Sequence, residues 1–275
     1  MANLALILDT VREAMARKVF WAFFFASTAI LLFFTFIMHV DVVNGMVASL
    51  SIFQARGHNN GELSAEKLVQ VAQVGLSVFL YTVGMGLAIF ASAGLISAVF
   101  EPGRVELVLS KPVGRTQVLL GRYLGNLLIV AVNLTYLTVG VWIIFGFKVG
   151  VWRPHLLIAS VLTLFMFSVM LAFILLISVL WESAAVSIIA TFALIVICLV
   201  LGQKDNLEKL LSSELSRDVV AGLYYLLPKV PDAGTMMTRV ITGQHIESWM
   251  PLWSTALFGI VALGSGLWIF SKRNF

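Results

Sequence analysis

The sequence predicts an all-α fold of the multi-pass membrane class. Of its 275 residues, 60% are hydrophobic and only 12% are charged, whereas charged residues make up about a quarter of an ordinary soluble domain. Mean hydropathy is +0.99. Six uncharged stretches are each long enough to cross a bilayer as a helix, which takes about 20 apolar residues. They are apolar on all faces, which argues against the short alternating strands of a membrane β-barrel.

The six predicted spans lie in one predicted transmembrane domain, residues 1–275. They cover residues 19–39, 75–99, 123–147, 156–180, 183–203 and 250–270. The second apolar stretch has a polar start, so we expect its helix to begin outside the membrane near Ser64, a residue type suited to an N-cap.

The segment before the first span has the pattern of an amphipathic helix. Its apolar residues recur at helical spacing, and the charged residues fall on other faces. The apolar positions are Leu4, Ile7, Leu8, Val11, Met15 and Val19. We expect this helix to lie at the inner membrane surface. It is either an elbow that moves with the first span or an ordinary interfacial anchor, and the sequence leaves both open.

Basic residues close to the span ends predict the orientation. They precede the first span, lie between the second and third, and follow the last. With six crossings these segments share one side, which the positive-inside rule assigns to the cytoplasm. Both termini are then expected in the cytoplasm, and the membrane is expected to be a bacterial-type inner membrane. Anionic lipid headgroups attract such residues. The net charge of +4 is therefore assigned to contact with membrane lipids, and no nucleic acid is expected as a partner.

Two segments are predicted on the outer side. Residues 41–72 form a modest loop, and residues 204–247 form the largest hydrophilic region. Within the latter, residues 219–227 are apolar but too short to span. We expect them to pack at the interface or to re-enter the membrane shallowly, with Pro228 and Pro231 ending this stretch.

The chain contains no recognisable catalytic constellation. It has no Gly-x-x-x-x-Gly-Lys-Ser/Thr phosphate loop, no His-Glu-x-x-His pair, and a single cysteine, Cys198. We therefore predict no catalytic residue, no metal site and no bound cofactor. The spans are almost free of ionisable residues, which argues against a proton-driven carrier. Asn133 and Thr135 in the third span either line a path or bond a neighbouring helix.

The segment between the second and third spans carries a family resemblance. It reads Glu101-x-Gly103, then Leu-Val-Leu-Ser-Lys-Pro-Val-Gly-Arg at 107–115, then Leu-Leu-Gly-Arg-Tyr-Leu-Gly at 119–125. This pattern resembles the signature of type-2 ABC transporter permeases. The six spans, the amphipathic start and Tyr-Leu-Leu-Pro at 225–228 agree with it, so nearly the whole chain fits the resemblance.

The resemblance implies a cytoplasmic coupling helix that sits in a groove of a separate ATPase subunit. The residues that would form this ATPase-coupling interface are Glu101, Pro102, Gly103, Arg104, Glu106, Leu107, Leu109, Lys111, Pro112 and Arg115, with Glu182 as a second, smaller contact. Gly121 and Gly125 form a small-x-x-x-small pair, which favours close helix packing.

By the same resemblance, the chain is the permease subunit of an ABC exporter that works as a dimer with a second copy or a paralogue. ATP and Mg would be bound by the partner ATPase. The apolar spans lean weakly towards a hydrophobic or amphipathic cargo. One alternative is a mechanotransmission or assembly subunit that acts on a periplasmic partner through residues 204–247 without transport. A second alternative is an ATP-independent membrane carrier or enzyme.

Overall fold

The structure is a computed structural model. It describes residues 2–16, 18–43, 46–52, 55–58, 64–100, 114–204 and 214–272.

Most of the described chain is helical, which confirms the predicted all-α membrane class. The helices are α1 (Ala2–Ala16), α2 (Val19–Leu32), α3 (Ala65–Phe79), α4 (Met85–Ser97), α5 (Arg115–Val149), α6 (His155–Trp181), α7 (Ala184–Leu201), α8 (Glu214–Leu226), α9 (Val230–Thr242) and α10 (Met250–Lys272). Within the described ranges, five helices are long and apolar enough to cross a membrane. A sixth is added if the bent pair Leu6–Ala16 and Phe20–Phe36 counts as one span.

Helices α3 and α4 form one continuous helix of 36 residues, Ala65–Phe100. A π-helical turn, Leu80–Gly84, joins them, and a 3-10 turn, Ala98–Phe100, ends the helix. The helix begins at Ser64 as predicted, because the Ser64 hydroxyl accepts a hydrogen bond from the Lys67 amide at 3.2 Å. Such an N-cap satisfies one of the amide groups that the first helical turn leaves without a partner.

Helices α2 and α5, which contain the first and third predicted spans, do not have the same limits as those spans. After α2, the π-helical turn Phe33–Ile37 leads directly into a strand, so the helix ends before residue 39. Within that turn, the Lys148 ammonium donates to the Phe34 carbonyl at 3.1 Å. Helix α5 begins at Arg115, ahead of the predicted span 123–147, and at its start the Gln117 side chain accepts from the Gly114 amide at 3.2 Å.

A small sheet follows the first span, where the sequence indicated only a loop. Strands β1 (Met38–Val43), β2 (Met46–Ile52) and β3 (Ala55–His58) form an antiparallel meander in the order β1-β2-β3. Val40 pairs with Leu50 in its register. The valines of β1 suit a strand better than a helix, but the stretch is too short and mixed for its periodicity to have indicated a sheet.

Helix α6 is the centre of the bundle. Its buried side chains include Met166, Phe167, Met170 and Leu171, each no more than 1% exposed, and it packs against α4, α5, α7, α9 and α10. Helix α10 approaches it through glycine, because a Cβ built on Gly266 would lie 2.7 Å from the Leu175 side chain. Small residues of this kind let membrane helices pack backbone to backbone.

The contacts define two ends of the bundle. At one, which we call the Phe100 end, the ring of Phe100 meets that of Phe270 edge-on at 5.8 Å. At the other, the Arg153 end, the Arg153 guanidinium pairs with Glu66 at 3.0 Å and donates to the Ile241 carbonyl at 3.4 Å. The Gln73 amide donates to the Arg153 carbonyl at 3.2 Å. The second end thus ties the start of α3 and the end of α9 to the α5–α6 connection.

Candidate coupling site at the Phe100 end

Most residues of the expected coupling helix lie outside the described residues. These are Glu101, Pro102, Gly103, Arg104, Glu106, Leu107, Leu109, Lys111 and Pro112. Arg115 is the first residue of α5, and Glu182 lies between α6 and α7. The structure therefore describes the two attachment points of segment 101–113 and the predicted second contact, and the roles of these residues stay predictions.

Both attachment points of that segment are packed into the core. Before it, Val99 and Phe100 are 2% and 8% exposed. After it, Val118 and Leu119 in the first turns of α5 are 4% and 0% exposed. Because close-packed interiors transmit displacement rather than absorb it, a movement of the intervening segment would act directly on α4 and α5.

A chain of buried hydroxyl groups crosses three helices at this end. Ser97 of α4 lies 3.1 Å from Ser178 of α6, oxygen to oxygen, and Ser178 lies 2.9 Å from Ser187 of α7. Ser187 in turn donates to the Ser183 carbonyl at 2.9 Å. Buried hydroxyls that bond across helices join them with defined geometry. The end of α4 is therefore connected through α6 to the turn that carries Glu182.

Glu182 occupies that turn in a left-handed backbone conformation, with φ of 52°. Its amide donates to the Ser178 carbonyl at 2.9 Å, which closes the end of α6. Helix α7 starts at once, with Ser183 as N-cap. A non-glycine residue at positive φ is uncommon. Here the tight turn leaves the Glu182 side chain exposed at the Phe100 end of the bundle.

The predicted packing pair Gly121 and Gly125 lies where α1 crosses α5. A Cβ built on Gly121 would lie 2.6 Å from the Leu6 Cβ, and one on Gly125 would lie 2.6 Å from the Thr10 Cβ. Both values are far inside van der Waals contact. Helix α1 therefore packs directly on the α5 backbone at this crossing.

Between the two glycines, Arg122 holds the same crossing by charge. Its side chain is 6% exposed and donates to the Glu13 carboxylate, which is 11% exposed. Asp9, at 3.7 Å from the second guanidinium nitrogen, is 70% exposed. The amphipathic first helix is thus joined to α5 by a buried ion pair that local sequence patterns did not reveal.

Sequence reasoning missed the Ser97–Ser178 contact and the Arg122 pair for one reason. Their partners are far apart in the sequence, so spacing carries no trace of them. The one local sign is the run Ser178, Glu182, Ser183 and Ser187, in which helical spacing places serines on both sides of the turn. The described residues bring together no group of three His, Cys, Asp or Glu side chains that would hold a metal. The site's groups are suited to holding helices together and to passing on displacement.

Taken together, the apolar helices and their buried interhelical contacts define an integral, multi-pass membrane protein. A family comparison sharpens this class: the model of the ABC-2 family of transporter proteins matches residues 4–275, and the chain belongs to that family. This confirms the resemblance that segment 101–125 carried and makes the chain a membrane component of a transporter. A comparison with curated proteins finds no match.

Proposed function

We propose that this protein is the permease subunit of an ATP-driven ABC exporter, worked by a separate ATPase that binds ATP and Mg. The observation that carries the proposal is the junction at the Phe100 end. There, α4 and the Glu182 turn are joined through buried hydroxyl contacts, and the residues on both sides of segment 101–113 belong to one buried cluster. In a chain of this transporter family, such a junction suits a surface that receives force from a partner.

The contacts suggest a path for that force. ATPase closure would displace segment 101–113, which would pull on α4 at Phe100 and on α5 beyond Gly114. Ser97 passes the shift to α6 and α7 through Ser178 and Ser187. Nucleotide would then shift the population between inward-facing and outward-facing or closed forms, since it binds one of them better.

The proposed assembly is a dimer with a second copy or a paralogue, together with two ATPase subunits, embedded in membrane lipid. We place the Phe100 end in the cytoplasm with both termini, in a bacterial-type inner membrane. Lys18 and Lys272 support this orientation. Each lies next to a span end, and the positive-inside rule places such basic residues in the cytoplasm.

The direct test is purification of the tagged chain from native membranes in gentle detergent. We expect a P-loop ATPase to accompany it, identified by mass spectrometry and by ATP hydrolysis that the chain alone lacks. Arg115→Glu and Glu101→Arg are expected to lower recovery of that ATPase. Lys67→Glu is the matched control, since Lys67 is an exposed cation beside the Ser64 cap at the opposite end. Repeated recovery of the permease alone would refute the proposal, and unchanged recovery in both interface variants would refute the placement of the interface.

One observation favours the mechanotransmission alternative. The continuous helix Ala65–Phe100 runs from segment 101–113 to the Arg153 end, where Glu66 is tied through Arg153 to the end of α9. A subunit that acts on a periplasmic partner through residues 204–247 needs such a connection. Transport measured in liposomes separates the two functions: an exporter moves a substrate in an ATP-dependent way, and a force-transmitting subunit does not.

A further inference from the structure

A cavity of about 70 Å³ lies between the helices of the bundle. Helices α2, α4, α5 and α6 surround it together with the π-helical turn Leu80–Gly84. Its lining is mainly apolar, with side chains such as Phe23, Val130 and Phe167. A single buried water needs only about 10–15 Å³ by a comparable measure, so the cavity has room for a larger group.

Three polar side chains interrupt the apolar lining. Ser27 of α2, Asn133 of α5 and Thr163 of α6 are 8%, 7% and 6% exposed. Each lies well inside its helix rather than at an end. Burying polar groups in the membrane interior is costly unless they are hydrogen-bonded. Of the three, only Asn133 carries a buried atom that has no partner among the described residues.

Asn133 carries the strongest sign of a missing partner. Its amide nitrogen donates to the Ile129 carbonyl at 3.2 Å, one turn back on the same helix. Its side-chain oxygen Oδ1 is buried and has no hydrogen-bond partner among the described residues. The other buried orphan side-chain atoms of the described residues belong to Gln73, Trp142, Arg153 and His155, and none of these residues lines the cavity.

Asn126 is a second buried asparagine on the same helix and allows a comparison. It lies two turns earlier on α5, is 1% exposed, and its amide donates to the Arg122 carbonyl at 2.8 Å. Yet its oxygen is not among the orphans, and it does not line the cavity. Of these two asparagines on α5, only Asn133 combines a place in the cavity lining with a buried oxygen that has no partner among the described residues.

The Asn133 oxygen needs a hydrogen-bond donor, and the described lining residues carry no charge. Thr163 directs its single hydroxyl proton to the Ala159 carbonyl at 3.2 Å and to the Met237 sulfur at 3.4 Å, so towards the cavity its oxygen can only accept. In the described part of the chain, the residues that line the cavity include no Asp, Glu, Lys, Arg or His. An ion would enter without a counter-charge in a low-dielectric site, which is strongly unfavourable.

We propose that this cavity is a binding site for a neutral amphipathic molecule, whose hydroxyl or amide hydrogen bonds to Asn133 Oδ1 while its apolar part lies against Phe23, Val130 and Phe167. The π-helical turn contributes Leu80 and Gly84 to the wall. Such turns widen a helix locally and occur often at functional sites. That the bound molecule is the transported cargo rests on the proposed function, whereas the binding itself does not.

The test uses the full chain alone in lipid nanodiscs, with a diazirine derivative of octanol as photoreactive probe. Mass spectrometry of the labelled peptides is expected to place the label on cavity-lining residues such as Met85 and Leu134. Competition at equal bilayer mole fraction then tests the chemistry: 1-octanol should remove the label, while octane, octylammonium and octanoate should not. Label spread evenly over lipid-facing residues, or removed equally by octane or by either ion, would overturn the proposal.

Variants on one helix test the role of the acceptor. Asn133→Leu, which keeps the side-chain size, should reduce cavity labelling about tenfold, the change expected from losing one neutral hydrogen bond. Asn126→Leu, the matched control, should change it less than about twofold, because this residue does not line the cavity. Equal labelling of Asn133→Leu and the unmodified chain would contradict the assignment. If Asn133→Leu does not fold, the competition series on the unmodified chain decides.

The ATPase is absent from this experiment, so its outcome is independent of the coupling proposal. If the chain binds octanol at the cavity but recovers no ATPase, the binding-site proposal stands and the transport proposal is contradicted. If the chain recovers the ATPase but no cavity residue is labelled, the transport proposal stands and the binding-site proposal is contradicted.

Discussion

Removing the carboxylate of Glu13 should release helix α1 from α5. In Glu13→Gln, the Arg122 guanidinium remains buried, with its side chain 6% exposed. The remaining carboxylate is that of Asp9 at 3.7 Å, which is 70% exposed and therefore screened by water. Breaking a buried ion pair on one side costs about 3–5 kcal/mol. Because Asp9 compensates in part, we expect about 3 kcal/mol, or roughly a hundredfold in the equilibrium constant.

Hydrogen exchange in nanodiscs measures this release directly. Amides of α1 should exchange about a hundred times faster in Glu13→Gln, because local opening sets their exchange rate. Glu247→Gln is the control: its pair with Arg239 at 2.8 Å is exposed, the two side chains being 34% and 77% accessible. Exposed pairs contribute only about 0–1 kcal/mol, so this variant should behave nearly as the unmodified chain does.

A double substitution separates the charge pair from simple packing. Glu13→Leu combined with Arg122→Leu removes both charges, and buried pairs replaced by apolar side chains are often neutral in stability. We expect the double variant to recover most of the protection that either single variant loses, with a coupling energy of about 2 kcal/mol. Additive losses, or exchange in Glu13→Gln no faster than in Glu247→Gln, would show that the ion pair does not hold α1.

Three further outcomes are expected. Gly125→Leu should weaken the α1–α5 crossing by about 1–3 kcal/mol in thermal or SDS unfolding, whereas Gly75→Leu, where a Cβ meets nothing within 4 Å, should change stability little. Ser178→Ala breaks both hydroxyl contacts of the serine chain; it should cost about 1–3 kcal/mol and uncouple ATPase activity from transport, and full coupling would contradict the proposed path. Burial lowers the pKa of Lys229 below its usual value, so at neutral pH the folded state carries a penalty for the charged form. The free energy of unfolding should therefore rise as pH increases through that lowered pKa towards 10.5, and Lys229→Met should remove this rise.

Local chemistry made the helices predictable, and long-range contact decided the rest. The Ser64 cap was predicted because an N-cap depends on neighbouring residues only. Pro231 shows the limit: the sequence suggested that it ends an apolar stretch, yet it also lies in the first turn of α9, a position where proline is favoured. The contacts that position α9 come from afar. The Tyr81 hydroxyl donates to the Val230 carbonyl at 2.6 Å, and Gly202 leaves room for the Pro231 ring.

The candidate sites divide in the same way. The resemblance in segment 101–125 identified the coupling region because that motif is contiguous. Asn133 was noted from sequence alone, but its polar character fitted a path and an interhelical bond equally well. Only the unpartnered oxygen and the adjoining cavity separate these possibilities. The serine chain joins residues that are as many as 81 positions apart, a relation that no local pattern contains.

The long helix Ala65–Phe100 has a mechanical consequence. Its 36 residues measure about 54 Å, well beyond the roughly 30 Å of bilayer hydrocarbon. The turn Leu80–Gly84 divides it into arms of about 22 and 25 Å. With such nearly equal arms, a rigid tilt of about 10° around that turn would move each tip by about 4 Å in opposite directions. A push at Phe100 would thus reach Ser64, across the membrane, with its size preserved and its direction reversed.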